Sequence, residues 1–354
     1  MAPAGLVERR FMAMIVAAAV TTAVAAQAPG LVCTQIAAAA RFSRAKRAKR
    51  AIRSCALCLL CLLTGPMLGG CAWISAKQNQ LALRPTPGRP ANLADDSLLF
   101  RPGDVRGLVP VASANPARPD QLALWWLPHA NPDAPTLLYL HGTFRNLYQN
   151  LSKINALREA GYSIVAVDYR GWGDSTVLVP DENTITADAR VAWAELQRRQ
   201  PDPARRVIFG HSMGGAVAVR LASTLRAVQA GGGDYAALVL ESTFTKLPDV
   251  AAAAGFWGRV AGATTTLEFD SLSRIGRIDA PLLMLHGSAD RTVPVELGRR
   301  LRDAAPAGVR WVEIAGGSHS RLHSDAPVVY QEALAQLLRS TKSKPATPSR
   351  ANSL

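Results

Sequence analysis

From about residue 95 to residue 338, short apolar runs alternate with longer amphipathic ones. The short runs span 121–127, 136–140, 162–167, 206–209, 237–240, 281–285 and 310–314. Several are apolar throughout, not at every second position, which is the pattern of strands covered on both faces of a mostly parallel sheet. The longer runs, 147–160, 185–199, 213–227, 295–304 and 328–338, predict helices. In the first of these Leu151, Ile154, Leu157 and Ala160 fall on one face at helical spacing, and Gly161 follows as a stop. Strand–helix alternation of this length predicts an α/β fold with a mostly parallel central sheet flanked by helices. Between Ser242 and Asp279 the period breaks. That insertion carries Phe256, Trp257 and Thr264-Thr265-Thr266, and it predicts a short lid over about 244–270, or a loop with one helix.

The ends of the chain read differently. The full 354 residues carry a formal charge of +14, but residues 1–71 hold nine Lys/Arg against one Asp/Glu, and 339–354 hold four Lys/Arg and no acid. What lies between is close to neutral, so the charge describes the ends and not a basic face on a folded domain. That distribution argues against a nucleic-acid partner. All five cysteines, at 33, 55, 58, 61 and 71, also lie in the first 71 residues. A disulfide framework or a cysteine metal site within the folded part is excluded.

Seven basic residues in 41–53 precede an apolar stretch, 56–68, which ends in Leu68-Gly69-Gly70-Cys71. A charged region, a short apolar region and small residues before a break form a secretory signal. The ending resembles a bacterial lipobox, which implies lipidation of Cys71 and anchoring to a lipid membrane. An ordinary signal peptide and a signal anchor are the alternatives. Ala72, where inner-membrane lipoproteins commonly carry Asp, implies an outer-membrane location facing the periplasm. The first 40 residues hold a second apolar run, 11–26, and read as an upstream extension, with a competing signal or a first membrane helix as alternatives. Residues 71–94 read as a polar, proline-bearing tether, 95–338 as the folded domain and 339–354 as a disordered tail.

The chemistry centres on Gly210-His211-Ser212-Met213-Gly214, set between a β-branched run and an Ala-rich one. A serine flanked in this way at a strand-to-helix turn matches the nucleophile elbow, where side chains in place of the two glycines would clash with the neighbouring backbone. A serine hydroxyl needs a general base, and the base an orienting acid. Asp290 follows the 281–285 strand within His286-Gly287-Ser288-Ala289-Asp290, and His319 closes the glycine-rich stretch after the last strand. All three would emerge at the carboxyl ends of parallel strands.

The order Ser212, Asp290, His319 is that of the α/β-hydrolases, and from about Leu98 to Leu338 the chain resembles their small-lid esterase, lipase and acyl-peptidase members. The resemblance implies an oxyanion hole built from the backbone N–H groups of Thr143, in Leu140-His141-Gly142-Thr143-Phe144, and of Met213, with Phe144 as the alternative to Thr143. His141 is expected to order that loop, with His211 and His286 as structural neighbours. Glu241 is the alternative acid, and His323 is a histidine that could be mistaken for the base. Asp168 and Arg170, in the family-like loop Asp168-Tyr169-Arg170-Gly171-Trp172-Gly173, are expected to form an internal ion pair. No metal and no cofactor is called for. The implied activity is hydrolysis of a small acyl ester through an acyl-enzyme. The alternatives are a thioesterase or peptidase using the same residues, and a lipoprotein that keeps the fold as a binding scaffold.

Overall fold

The computed structural model describes residues 73, 75–91, 93, 100–113, 115–230 and 232–342. Cys71, the signal segment before it and residues 343–354 lie outside the described residues. The described strands form a single eight-stranded sheet: β1 (Val105–Val111), β2 (Asp120–Leu127), β3 (Thr136–Leu140), β4 (Ser163–Asp168), β5 (Arg206–His211), β6 (Ala237–Glu241), β7 (Leu282–Gly287) and β8 (Arg310–Ile314). Their spatial order is β1-β2-β4-β3-β5-β6-β7-β8. The pairs β1–β2 and β2–β4 are antiparallel. Every other pair is parallel.

Alternation within each strand feeds two cores, because successive side chains point to opposite faces. In β3, Leu138 and Leu140 enter one core, with Ile185, Ala189, Val217 and Leu301 from helices on that side. Leu137 and Tyr139 enter the other, with Leu151, Ile154, Tyr330 and Leu334. The helices are α1 (75–83), α2 (Leu147–Glu159), α3 (Glu182–Arg199), α4 (Met213–Ala222), α5 (Leu247–Ala253), α6 (Phe256–Thr264), α7 (Leu272–Ile275), α8 (Val295–Asp303), α9 (Leu322–Asp325) and α10 (Pro327–Lys342). Helices α2 and α10 cover one face, and α3, α4 and α8 the other. Among the described residues, no helix is long and apolar enough to cross a membrane.

The structure departs from the sequence pattern at identifiable places. Strand β1 carries no continuous apolar run because it is the solvated edge: Val105 is 50% and Leu108 54% exposed. Helix α4 stops at Ala222, short of the expected residue 227. The hydroxyls of Ser223 and Thr224 there bond back to Arg220 O and Leu221 O, at 3.0 and 2.8 Å, and compete with continuation of the ladder. Helix α3 begins three residues early, at Glu182, because Asp181 accepts from Thr184 N at 2.7 Å and caps it. The insertion holds three helices. Helices α5 and α6 meet through small residues that carry no hydrophobic period: a Cβ on Gly258 would fall 1.9 Å from Ala251 O.

The segment expected as a tether is in part folded onto the domain. Leu83, at the end of α1, is 1% exposed and joins the core. Beyond it, Gly88 N donates to Gly173 O at 2.7 Å and Gly173 N to Thr86 O at 3.0 Å. The prolines that suggest a linker here stiffen an extended segment whose polar backbone groups are bonded to the domain.

Candidate active site

Because β3, β5, β7 and β8 are parallel, the loops leaving their carboxyl ends share one edge of the sheet. Ser212 follows β5 directly and precedes α4, with φ 56° and ψ −122°. That conformation is strained for a residue bearing a Cβ, and its surroundings enforce it. A Cβ on Gly210 would lie 2.2 Å from Gly214 O, and one on Gly214 would lie 2.1 Å from Leu140 O. Both obstacles are backbone atoms and cannot move aside, so both glycines are required by the turn. Ser212 N donates to Glu241 O at 2.8 Å, and Thr243 Oγ1 to Ser212 O at 2.9 Å.

The structure brings the three candidate residues together. Ser212 Oγ lies 3.0 Å from His319 Nε2. His319 Nδ1 lies 2.7 Å from Asp290 Oδ2. A carboxylate acceptor fixes the proton on Nδ1, which leaves Nε2 to accept from the serine hydroxyl. Asp290 is 7% exposed and richly solvated by the protein. Its Oδ1 accepts from Thr292 N and Val293 N, each at 2.8 Å. Burial pushes its pKa up, but hydrogen bonds from His286, His319 and the Val293 amide outweigh that and hold it well below the ordinary carboxylate value. It stays ionised, as an acid that orients an imidazole must.

His286 thus contributes more than a neighbour's bulk. Its Nε2 donates to Val293 O at 2.9 Å and lies 3.3 Å from Asp290 Oδ2. Its i, i+4 spacing from Asp290 across a loop gave no signal of this role. His211 Nε2 donates to His319 O at 3.0 Å and supports the backbone that presents the candidate base. His141 Nδ1 donates to Gly142 O at 2.6 Å, within the loop expected to supply an oxyanion donor. That loop lies against the elbow: a Cβ on Gly142 would come 3.0 Å from Ser212 Cβ. Thr143 is the next residue, and Met213 opens α4 on the other side of the hydroxyl.

Other expectations resolve differently. Asp168 and Arg170 do not pair with each other. Arg170 binds Asp188 and Asp120, each at 2.9 Å. Asp168, fully buried, accepts from Leu147 N at 2.9 Å, and His141 Nε2 sits 3.3 Å from it. Strand β4 ends at Asp168 and the chain turns at Arg170, so the two side chains reach different partners. His323 bonds Ser152 Oγ at 3.1 Å, away from the elbow. The Glu241 carboxylate, 0% exposed, is engaged by Lys153 Nζ and, at 2.9 Å, by Tyr330 OH. Phe256, in the insertion, is 64% exposed on α6.

Burial, then the charge of Lys153 and the nearby His319, hold His211 well below the ordinary imidazole value. His323 is lowered too, again first by burial. Above about pH 6.5 the folded and unfolded states are both neutral at these positions. As pH falls further, the unfolded chain takes up protons that the folded state refuses, so stability drops by up to about 1.4 kcal/mol per pH unit for each group. Urea midpoints are therefore expected to fall between pH 7 and 5, and His211→Gln to flatten that slope. An unchanged slope would contradict a buried neutral His211.

Fold and site together define the class: the chain belongs to the α/β-hydrolase family and is a hydrolase. The family profile described as Serine aminopeptidase, S33, matches residues 130–269. An uncharacterized protein of Mycobacterium tuberculosis is 35% identical over 202 residues, covering 56% of this chain and 68% of that protein. The zebrafish (Danio rerio) lysophosphatidylserine lipase ABHD12 is 33% identical over 198 residues, covering 52% of this chain and 50% of the lipase. The chain thus spans about half the length of that lipase. Among solved structures, an α/β-hydrolase from Vibrio vulnificus matches with a TM-score of 0.59 at 20% identity, over 73% of this chain and 93% of that one. The Pyrococcus furiosus esterase Pf2001 matches with a TM-score of 0.54 at 18% identity, over 72% and 98%. These two show a shared fold.

Proposed function

We propose that the protein is a serine hydrolase that cleaves carboxylic esters through an acyl-enzyme. The observation that carries this reading is the unbroken chain of contacts Ser212 Oγ–His319 Nε2 at 3.0 Å and His319 Nδ1–Asp290 Oδ2 at 2.7 Å. Ser212 Oγ attacks the acyl carbon while His319 Nε2 takes its proton. Asp290 holds the tautomer and stabilises the imidazolium. The Thr143 and Met213 amides donate to the oxyanion of the tetrahedral intermediate, each contributing about 2.7–4 kcal/mol. His319 returns the proton to the leaving alcohol, and a water deacylates the serine by the same route.

The similarity to a lysophosphatidylserine lipase supports a single-chain lipid ester as substrate. The basic-then-apolar signal and Cys71 support a membrane-tethered enzyme of the bacterial cell envelope, held at the outer membrane and facing the periplasm. A fluorophosphonate probe is expected to label folded full-length protein on the peptide containing Ser212. Absence of label there would favour a non-catalytic scaffold. The match to a serine aminopeptidase profile favours amide cleavage as the second reading. Rates on matched ester, thioester and aminoacyl-arylamide substrates separate the two.

A further inference from the structure

Thr143 sits in a turn whose geometry must be imposed from outside. The next residue, Phe144, has φ 73°, a left-handed conformation that a bulky side chain resists. Such a residue persists only where its surroundings over-determine it. Those surroundings come from two sides. From the sheet, Asp168 Oδ1 accepts Leu147 N at 2.9 Å and fixes the first turn of α2. From the other side comes the segment after α1, nearly sixty residues upstream in sequence. Asn146 Nδ2 donates to Thr86 O at 3.1 Å and to Gly88 O at 2.7 Å. The guanidinium of Arg84 lies 4.8 Å from the centroid of the Phe144 ring. Residues 86 and 88 are themselves bonded to Gly173, and Leu83 is sunk in the core, so this strap is fixed at both ends.

We infer that residues 84–88 are a strap that positions the oxyanion loop, acting through Asn146 and Arg84. The inference rests on the ester-hydrolase reading above. Asn146 has two separable tasks. Its Oδ1 caps α2 by accepting from Gln149 N, at 3.4 Å, and its Nδ2 holds the strap. Asp is as good a helix cap as Asn but carries no donor. Asn146→Asp therefore keeps the cap and releases the strap, leaving a carboxylate to face two carbonyl oxygens. Neither Asn146 nor Arg84 touches substrate in this scheme. Both act on where the Thr143 amide points, and a donor displaced from the oxyanion loses stabilisation in the transition state while ground-state binding is kept.

The test uses the full chain and a soluble fluorogenic ester. Asn146→Asp is expected to lower kcat about tenfold, part of the roughly 10²–10³-fold that a whole oxyanion donor supplies, with KM near the parent value. Affinity for a trifluoromethyl ketone, which forms a tetrahedral adduct on the serine, should fall by the same factor as kcat. A purely structural role would shift the melting midpoint without this matched loss. Parental kcat and parental ketone affinity in Asn146→Asp would overturn the inference. If that variant does not fold, Arg84→Met decides, since it keeps the side-chain stem and removes the cation from the Phe144 ring. A roughly threefold loss of kcat, matched in ketone affinity, is then expected, and parental values overturn the strap. A parent protein that neither hydrolyses the ester nor takes the fluorophosphonate label would instead refute the hydrolase reading.

Discussion

Ser212→Ala is expected to fold normally and to lose ester hydrolysis by a factor on the order of 10⁶ in kcat. The two halves of that expectation have separate causes. Loss of Oγ removes the only group at the elbow that lies within bonding reach of His319 Nε2. The residual rate is then whatever the oxyanion amides and substrate binding provide without a nucleophile. Folding is spared because alanine and serine bear the same Cβ at φ 56° and ψ −122°, so the strain is unchanged. Ser212→Gly should be equally inactive yet more stable than the alanine variant, by about 1 kcal/mol, because it relieves that strain. An ester assay with thermal midpoints on both variants checks this. An alanine variant that still turns over at a large fraction of the parental rate would remove Ser212 from the mechanism.

The second large effect separates two buried carboxylates. Asp290→Asn should reduce kcat by about 10⁴, the scale seen when the orienting acid of such a site becomes an amide. The amide can still accept from Thr292 N and Val293 N through its oxygen. Its NH₂ group then faces His319 Nδ1, which must give up its proton to accept, and the imidazole is left in the tautomer that cannot take the serine proton. Glu241→Gln should behave in the opposite way. It leaves Lys153, 2% exposed, without its counter-charge and should cost about 3–5 kcal/mol of stability while sparing kcat of the folded enzyme. Steady-state kinetics and urea unfolding on the two variants distinguish the roles. A large kcat loss confined to Glu241→Gln would exchange the assignments.

The parts of the site that the sequence discloses are those fixed by local geometry. The elbow is legible because Gly210 and Gly214 leave no room for a side chain, and β3 appears with its observed bounds because it is short, buried and largely apolar. Asp290 and His319 are legible because each follows a strand by a few residues, so the topology carries them to the edge where Ser212 lies. What depends on contact between distant segments is not legible. Nothing local marks Lys153 and Tyr330 as partners of Glu241. The docking of residues 83–88 is hidden for the same reason: a stretch with Pro85, Pro87 and Pro90 has the composition of a linker whether or not its carbonyls find donors. The α5–α6 hairpin is hidden because alanine and glycine pack by closeness of backbone, which leaves no periodic trace.

The order in which these groups occur along the chain bears on biosynthesis. Ser212 is made well before the histidine, which lies 107 positions later and after the last strand of the sheet. A domain generally folds as a unit. On the proposed mechanism, the serine therefore has no proton acceptor until β8 has docked on β7 and residue 319 has reached the elbow. Under that mechanism, latency during manufacture follows from the strand order, and the serine stays unreactive until the domain is whole.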